Sequence, residues 1–499
     1  MRWLGRFGRR ALIGLLALLA IGIAIRAWDV HHGPELRPWH TEVPPELDAA
    51  ALDAADWPAF LAAEARAFDF VQREVSARLA PADRSLAKRY DPASPLDPAR
   101  FATDWNRSFV LEPEGAARGV AVLVHGLTDA PFSMRHLARL YAEAGFIAIV
   151  PRMPGHGTVP AGLTAADWPD WAAATRLAVR EARRRVPGGP LHLVGYSNGG
   201  ALALLHALAA AEAGTPAPEQ LVLLSPMVGV TPFARFAGLA GLPALLPAFA
   251  GAAWLSVLPE FNPFKFNSFP VNAARQSHLL TAEIQARMAR LGAAGLARLP
   301  PVLTFQSVAD ATVSTRAVIT ALHTRLPAGR SELVLFDLNR EARLGPLLDP
   351  RADAALSAIP PAPRGFGLVL VTNAARDTAA VEERSMPAGA TEEARRALGL
   401  AWPRGLFSLS HVALPFPVED GLYGLAPAPD DDFGLQLGAL APRGESGVLV
   451  MSLDSLLRAS SNPFFPYLRE RLEGMLRAGA GTPGLAPGRA ADPVVVPAR

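Results

Sequence analysis

The 499-residue chain contains no cysteine. Disulfides, a thiolate nucleophile and a Cys-ligated metal are therefore excluded, and cysteine usage carries no information about redox compartment. Lysine is almost absent, with only Lys88 and Lys265, and charged residues make up 19% of the chain. The 48 basic and 46 acidic side chains nearly cancel to a formal charge of +2, so no basic footprint for nucleic acid is present. Half the residues are hydrophobic, which excludes disorder for most of the length and supplies a large core. Single cores stop growing at roughly 250–300 residues. The length thus predicts one large domain carrying insertions.

The N-terminus departs from this balance. Arg2, Arg6, Arg9 and Arg10 precede an apolar run from Ala11 to Ile25. That run is shorter than the ~20 residues that span a bilayer comfortably, although flanking Trp3, Leu4, Ala27 and Trp28 extend its reach. Residues 1–28 read as a retained membrane anchor or, alternatively, a cleaved signal segment whose cleavage site would involve Gly22 and Ala24. In both cases the positive-inside bias puts the remainder on the outer side of the membrane. Residues 29–47, rich in proline, read as a semi-extended tether with few contacts. A helix is expected from Asp48 to Leu79, with Phe60, Ala63, Ala67, Phe70 and Val71 on its packing face. Residues 479–499 are Ala, Gly and Pro without periodicity and read as a disordered tail.

From Gly119 onward, short apolar runs alternate with amphipathic stretches. Val120–Val124, Ile147–Val150, Leu191–Val194, Leu221–Leu224 and Val302–Phe305 read as strands buried on both faces. Ser133–Ala144, Ala172–Arg184 and Ala201–Ala213 read as the helices between them. This is the pattern of βαβ units and a mostly parallel sheet flanked by helices. Two excesses interrupt it. Pro226–Pro300 is apolar and Pro-rich, and reads as a cap over the sheet's C-terminal edge. Residues 340–405 form an insertion of underivable role, containing a further strand-like run at Gly367–Val371.

Gly195-Tyr196-Ser197-Asn198-Gly199 is a G-x-S-x-G string directly after a buried strand and directly before an Ala-rich helix. That context places Ser197 on a strained strand-to-helix turn, where a serine nucleophile is exposed and small neighbours let backbones approach. His125-Gly126-Leu127 ends the first central strand, so backbone N–H groups of Leu127 and Asn198 are candidates for an oxyanion hole, with His125 shaping the turn. The acid is sought after the serine, following the chain order Ser, acid, His. Asp310 lies just past Val302–Phe305, and Asp337 at the end of Leu333–Phe336 is its competitor. Only His323 and His411 follow Asp310; His323 falls in a helical stretch, whereas His411 sits in a loop ahead of Pro415. The candidate triad is Ser197, Asp310 and His411, and it calls for no cofactor and no metal.

The runs Val122–Met134, Arg152–Thr158 and Gly195–Gly200 together resemble the monoacylglycerol lipase and carboxylesterase branch of the α/β-hydrolase superfamily. The resemblance is clearest over Ala117–Val228 and resumes around Asp310 and His411. It implies an α/β-hydrolase fold with a cap insertion, a serine hydrolase working through an acyl-enzyme, and the triad roles at those positions. Exported, membrane-anchored bacterial members are the nearest in layout, which implies an inner-membrane location facing the periplasm, or export after signal cleavage. The apolar cap residues Phe233, Phe236, Leu239, Leu242, Leu245, Leu246, Phe249, Trp254, Leu255 and Phe261 suit a lipophilic or acyl-glycerol-like ester. Thioesters, amides in aminopeptidase-like relatives and a non-catalytic tethered binding protein are the rival readings. Cap Pro226–Pro270 holds Glu260 as its sole carboxylate, where an aminopeptidase needs carboxylates for a free amine. Oligomeric state is not readable.

Overall fold

The computed structural model describes residues 31–229, 247–310, 312–341, 353–439 and 461–478, with isolated positions between 13 and 28. In chain order the sheet strands are β1 (Phe109–Leu111), β2 (Gly119–Val124), β3 (Phe146–Val150), β4 (Leu191–Tyr196) and β5 (Gln220–Leu224). A small pair follows, β6 (Trp254–Ser256) with β7 (Phe269–Pro270), and then β8 (Val302–Ser307), β9 (Ser331–Phe336), β10 (Gly367–Asn373), β11 (Ala380–Met386) and β12 (Ala394–Ala401). Ten of them form one sheet in the order β1-β3-β2-β4-β5-β8-β9-β10-β11-β12. Strands β2 to β10 of that sheet run parallel, while β1 at one edge and β11–β12 at the other are antiparallel. The mostly parallel sheet expected from the βαβ pattern is present.

Side-chain alternation in the central strands splits the core into two layers. Val120, Val122, Val124, Leu191, Leu193, Leu221 and Leu223 point to one face, covered by helices α1 (Ala49–Ala54), α4 (Trp168–Arg185), α5 (Asn198–Ala213) and α6 (Val271–Leu296). Ala121, Leu123, Val194, Val222, Phe305 and Phe336 point to the other, covered by α3 (Arg135–Glu143) and α7 (Phe465–Ala478). Because both faces are buried, the strands read as unbroken apolar runs rather than alternating ones.

Several boundaries differ from expectation for local reasons. The helix expected from Asp48 to Leu79 is broken: α1 ends at Ala54 and α2 (Trp57–Glu74) starts afresh behind Asp56, whose side chain caps Ala59 N–H as Asp48 caps Ala51 N–H. Pro58 in the first turn of α2 cannot continue a preceding helix. The stretch read as a tether of few contacts is docked. Trp39 is buried and stacks on Tyr90, His40 meets Ser268 Oγ at 3.0 Å, and Glu46 forks onto Arg152 at 2.7 and 2.8 Å. The segment read as cap is divided: Val271–Leu296 is α6, packed along α5 on the sheet flank, and residues 247–270 form a strap. The cap residues Phe233, Phe236, Leu239, Leu242, Leu245 and Leu246 lie outside the described residues. So do most of residues 1–28 and all of 479–499, the expected anchor and tail. Among the described residues no helix is long and apolar enough to cross a membrane. The insertion at 340–405 supplies the end of the sheet: β10 pairs in parallel with β9, and the β11–β12 hairpin extends it.

Candidate active site

At the C-terminal end of β4 the chain turns into α5 through Ser197, which has φ 56° and ψ −118°. A positive φ at a non-glycine residue is strained and persists only where the surroundings enforce it. Here Ser197 N–H donates to Leu224 O at 2.9 Å at the end of β5, and Ser197 O accepts from Met227 N–H at 3.0 Å. The following helix turn needs Gly199, since a Cβ there would stand 2.0 Å from Val124 O and 2.6 Å from His125 O. Thus the start of α5 lies against the end of β2, and the loop Gly126–Asp129 lies beside Ser197.

His411 bridges the serine and an aspartate. Its Nε2 lies 2.9 Å from Ser197 Oγ and its Nδ1 lies 2.8 Å from Asp310 Oδ2. Asp310 is fully engaged: Oδ1 accepts the N–H groups of Thr312 and Val313 at 2.9 and 2.8 Å, and Oδ2 also accepts from Gln306 Nε2 at 3.1 Å. Four donors on one carboxylate hold it in a single orientation with the imidazole in its plane of reach. The His411 loop is pinned despite its distance in sequence. Ser307 Oγ donates to Leu409 O at 2.8 Å, Tyr196 OH donates to His411 O at 3.2 Å, and the Tyr196 and His411 rings stack at 5.2 Å between centroids. His411 opens one 3-10 turn that stops before Pro415. Tyr196, Gln306 and Ser307 were not singled out in the sequence. Tyr196 stands inside the G-x-S-x-G string, and that position was the available signal.

The competing residues are elsewhere. Asp337 is buried and grips Arg340 with both oxygens, at 2.6 and 2.7 Å, while accepting Thr372 Oγ1 at 2.7 Å. His323 is buried with Nδ1 3.1 Å from Ser331 Oγ, and burial pushes its imidazole down to about 3, keeping it neutral. His125 accepts Met153 N–H at Nε2, 3.0 Å away, so its proton sits on Nδ1 and goes to Gly126 O at 2.9 Å. Burial lowers that ring to about 3 as well. It therefore shapes the turn leading to Leu127. Leu127 lies in that loop, and Asn198 is the first residue of α5.

One further cluster of ligand-type groups, His136, Asp420 and Asp431, is already filled by a cation. Arg135 pairs with both carboxylates, and His136 Nε2 meets Asp420 Oδ2 at 2.8 Å. Burial pushes the Asp420 carboxyl up, but Arg135 and His136 outweigh it and hold it down at about 2. A guanidinium in that position leaves no place for a metal ion.

A parallel sheet with helices on both faces, a strained serine between β4 and α5, and a histidine linking it to an aspartate beyond β8 make up the layout of the α/β-hydrolase fold. Within that class the chain is similar to the monoacylglycerol lipase and esterase branch. Residues 115–338 match the family model Hydrolase_4, described as serine aminopeptidase, S33, a span that contains Ser197 and Asp310 and ends before His411. A thermostable monoacylglycerol lipase of Bacillus sp. (strain H-257) is 37% identical over 83 residues, which is 17% of this chain and 32% of that enzyme. The chain thus spans about a third of that relative's length. Among solved structures, one from a study of the metagenome-derived lipolytic enzymes LipS and LipT is 24% identical, with a TM-score of 0.37, covering 46% of this chain and 87% of the other. A soluble variant of monoglyceride lipase from Saccharomyces cerevisiae is 15% identical, with a TM-score of 0.36, covering 46% and 82%.

Proposed function

We propose that the protein is a serine hydrolase that cleaves carboxylic esters of lipophilic, acyl-glycerol-like character through an acyl-enzyme. The observation that carries this reading is the continuous chain Ser197 Oγ, His411, Asp310 at 2.9 and 2.8 Å, set on a strained strand-to-helix turn. His411 Nε2 takes the proton of Ser197 Oγ as the oxygen attacks the acyl carbonyl. Asp310 holds the Nδ1–H tautomer and stabilises the imidazolium. The N–H groups of Leu127 and Asn198 receive the charge that develops on the carbonyl oxygen. His411 then hands its proton to the departing alkoxide, and water repeats the sequence to release the acid. Each step is proton transfer or acyl transfer, so the residues present suffice.

An ester is favoured over a peptide with a free amino terminus. The one carboxylate between Pro226 and Pro270, Glu260, is fully buried and accepts from the N–H groups of Asn267 and Ser268 at 3.0 and 2.8 Å. It is committed to the strap and does not face an ammonium. The 37% identity to a monoacylglycerol lipase supports an acyl-glycerol-like substrate. Residues 1–28 are assigned as a membrane anchor, with the catalytic domain on the outer face, on the strength of the four arginines and the apolar run behind them. The test is turnover of p-nitrophenyl esters of increasing acyl length by the parent and by Ser197→Ala. Loss of at least ~10³-fold in the variant is expected. Turnover that survives the substitution removes Ser197 as nucleophile.

A further inference from the structure

The peptide planes on either side of Leu127 are each held by a hydrogen bond. Leu127 N–H shares a plane with Gly126 C=O, which accepts His125 Nδ1–H at 2.9 Å. The next plane carries Leu127 C=O and leads into Thr128, whose φ of 61° is again in the left-handed region. A β-branched residue there is held in place only by its surroundings. Those surroundings are the strap. Lys265 Nζ donates to Thr128 Oγ1 at 3.0 Å and to Leu127 O at 3.4 Å, and Phe266 N–H donates to Thr128 O at 2.8 Å.

The strap that presents Lys265 is itself fixed. Glu260 O accepts Arg89 N–H at 3.1 Å, and the Arg89 guanidinium donates to Asn262 O at 3.2 Å. Asn262 Nδ2 donates to Tyr423 OH at 2.7 Å, and Phe264 stacks on Phe132 with centroids 4.0 Å apart. Phe132 belongs to the turn that continues the same loop after Thr128. Lys265 is thus delivered by a platform braced against the element it grips, and its ammonium meets two acceptors with charge-assisted hydrogen bonds, stronger than those a neutral amide NH₂ would offer.

We propose that Lys265 is a positioning residue: by clamping the Leu127–Thr128 peptide from the strap it fixes the loop just past Leu127, so that the Leu127 N–H, whose own plane is held by His125, keeps its aim. This rests on the serine-hydrolase reading above, in which that N–H binds the oxyanion. A misaimed donor is felt only when charge develops on the carbonyl oxygen, so the loss falls on kcat and spares KM. Because the chain has no cysteine, Lys265→Cys creates a single thiol, which 2-bromoethylamine converts to an aminoethyl thioether with an ammonium at nearly the lysine position.

The Lys265→Cys variant is expected to lose about 10- to 100-fold in kcat with KM within about twofold, and the inhibition constant of an aliphatic trifluoromethyl ketone should rise in parallel. Aminoethylation should restore most of kcat, whereas capping with iodoacetamide should not. A kcat within about twofold of the parent, or a loss that aminoethylation leaves untouched, overturns the inference. Should Lys265→Cys fail to fold, Thr128→Val removes one of the two acceptors while keeping the branched shape, and an unchanged kcat there overturns it equally. The parent and Ser197→Ala are assayed alongside. A parent without Ser197-dependent turnover removes the function and this inference together; a normal parent with an unaffected Lys265 variant removes this inference alone.

Discussion

Replacing Asp310 and Asp337 separately by asparagine tests the roles proposed for them, catalytic for Asp310 and structural for Asp337. In Asp310→Asn, an amide oxygen left facing Thr312 N–H and Val313 N–H turns the amide nitrogen toward His411 Nδ1 and Gln306 Nε2, two positions that both supply hydrogens in the parent. His411 must then accept at Nδ1 and carry its proton on Nε2, opposite Ser197 Oγ, where it cannot act as base. The flipped amide instead sets its NH₂ against the two backbone donors. Both arrangements spoil the site, and the wrong tautomer costs on the order of 10⁴ in kcat, about 5 kcal/mol of transition-state stabilisation. In Asp337→Asn the loss is in folding. The side chain is buried and pairs twice with Arg340, which is itself 31% exposed and so can recover water. The expected destabilisation is about 1–3 kcal/mol. Steady-state p-nitrophenyl ester hydrolysis paired with thermal melts by circular dichroism reads both effects. A greater loss of kcat in Asp337→Asn than in Asp310→Asn, with both folded, would refute the assignment of Asp310 as the acid.

Three further expectations follow from the packing. Deleting residues 1–28 should leave a folded, active enzyme, whereas deleting 1–47 strips Trp39, His40 and the Glu46 fork from buried Arg152 and should lower the melting temperature by several degrees; equal melting temperatures would count against the docked linker. His40 and His192 are lowered to about 4 and His323 to about 3, chiefly by burial, so each is neutral when folded and takes up a proton on unfolding. Their contribution is complete above the unfolded value of about 6.5 and is lost as pH falls toward 4; urea midpoints should drop from pH 7 to pH 5, and a flat midpoint contradicts this. Gly199→Ala places a Cβ 2.0 Å from Val124 O, so it should abolish soluble expression or activity, and a stable, fully active variant would show that α5 can retreat from β2.

The parallel strands were legible because burial on both faces writes itself as apolar runs, and the strained turn at Ser197 because it demands small residues at fixed spacing. The β11–β12 hairpin was not. Its strand AVEERSM is mostly half-buried and ARRALGLA largely exposed, and the two are tied by ion pairs such as Arg396 with Glu383, a register no local pattern reveals. The break at Asp56 was readable in Asp56-Trp57-Pro58, a cap followed by a helix-starting proline. Docking of residues 37–47 was not readable. It depends on Glu46 finding Arg152 and His40 finding Ser268, pairs remote in sequence and created only by the fold. The same holds for the support of the site. Chain order pointed to His411 and Asp310, but the bonds from Ser307, Tyr196 and Gln306 that seat them exist only once β4 and β8 flank β5 in one sheet with the loop before His411 folded back over their ends.

The proposed chemistry requires Ser197 to be an activated nucleophile, and covalent labelling reads that directly. The full chain, treated at neutral pH with a fluorophosphonate and digested, should carry one stoichiometric adduct, on the peptide containing Ser197. Labelling should be lost in Ser197→Ala and slowed by orders of magnitude in His411→Ala, because the hydroxyl then has no base. An adduct on a different serine, or labelling that proceeds at the parent rate without His411, would contradict the account.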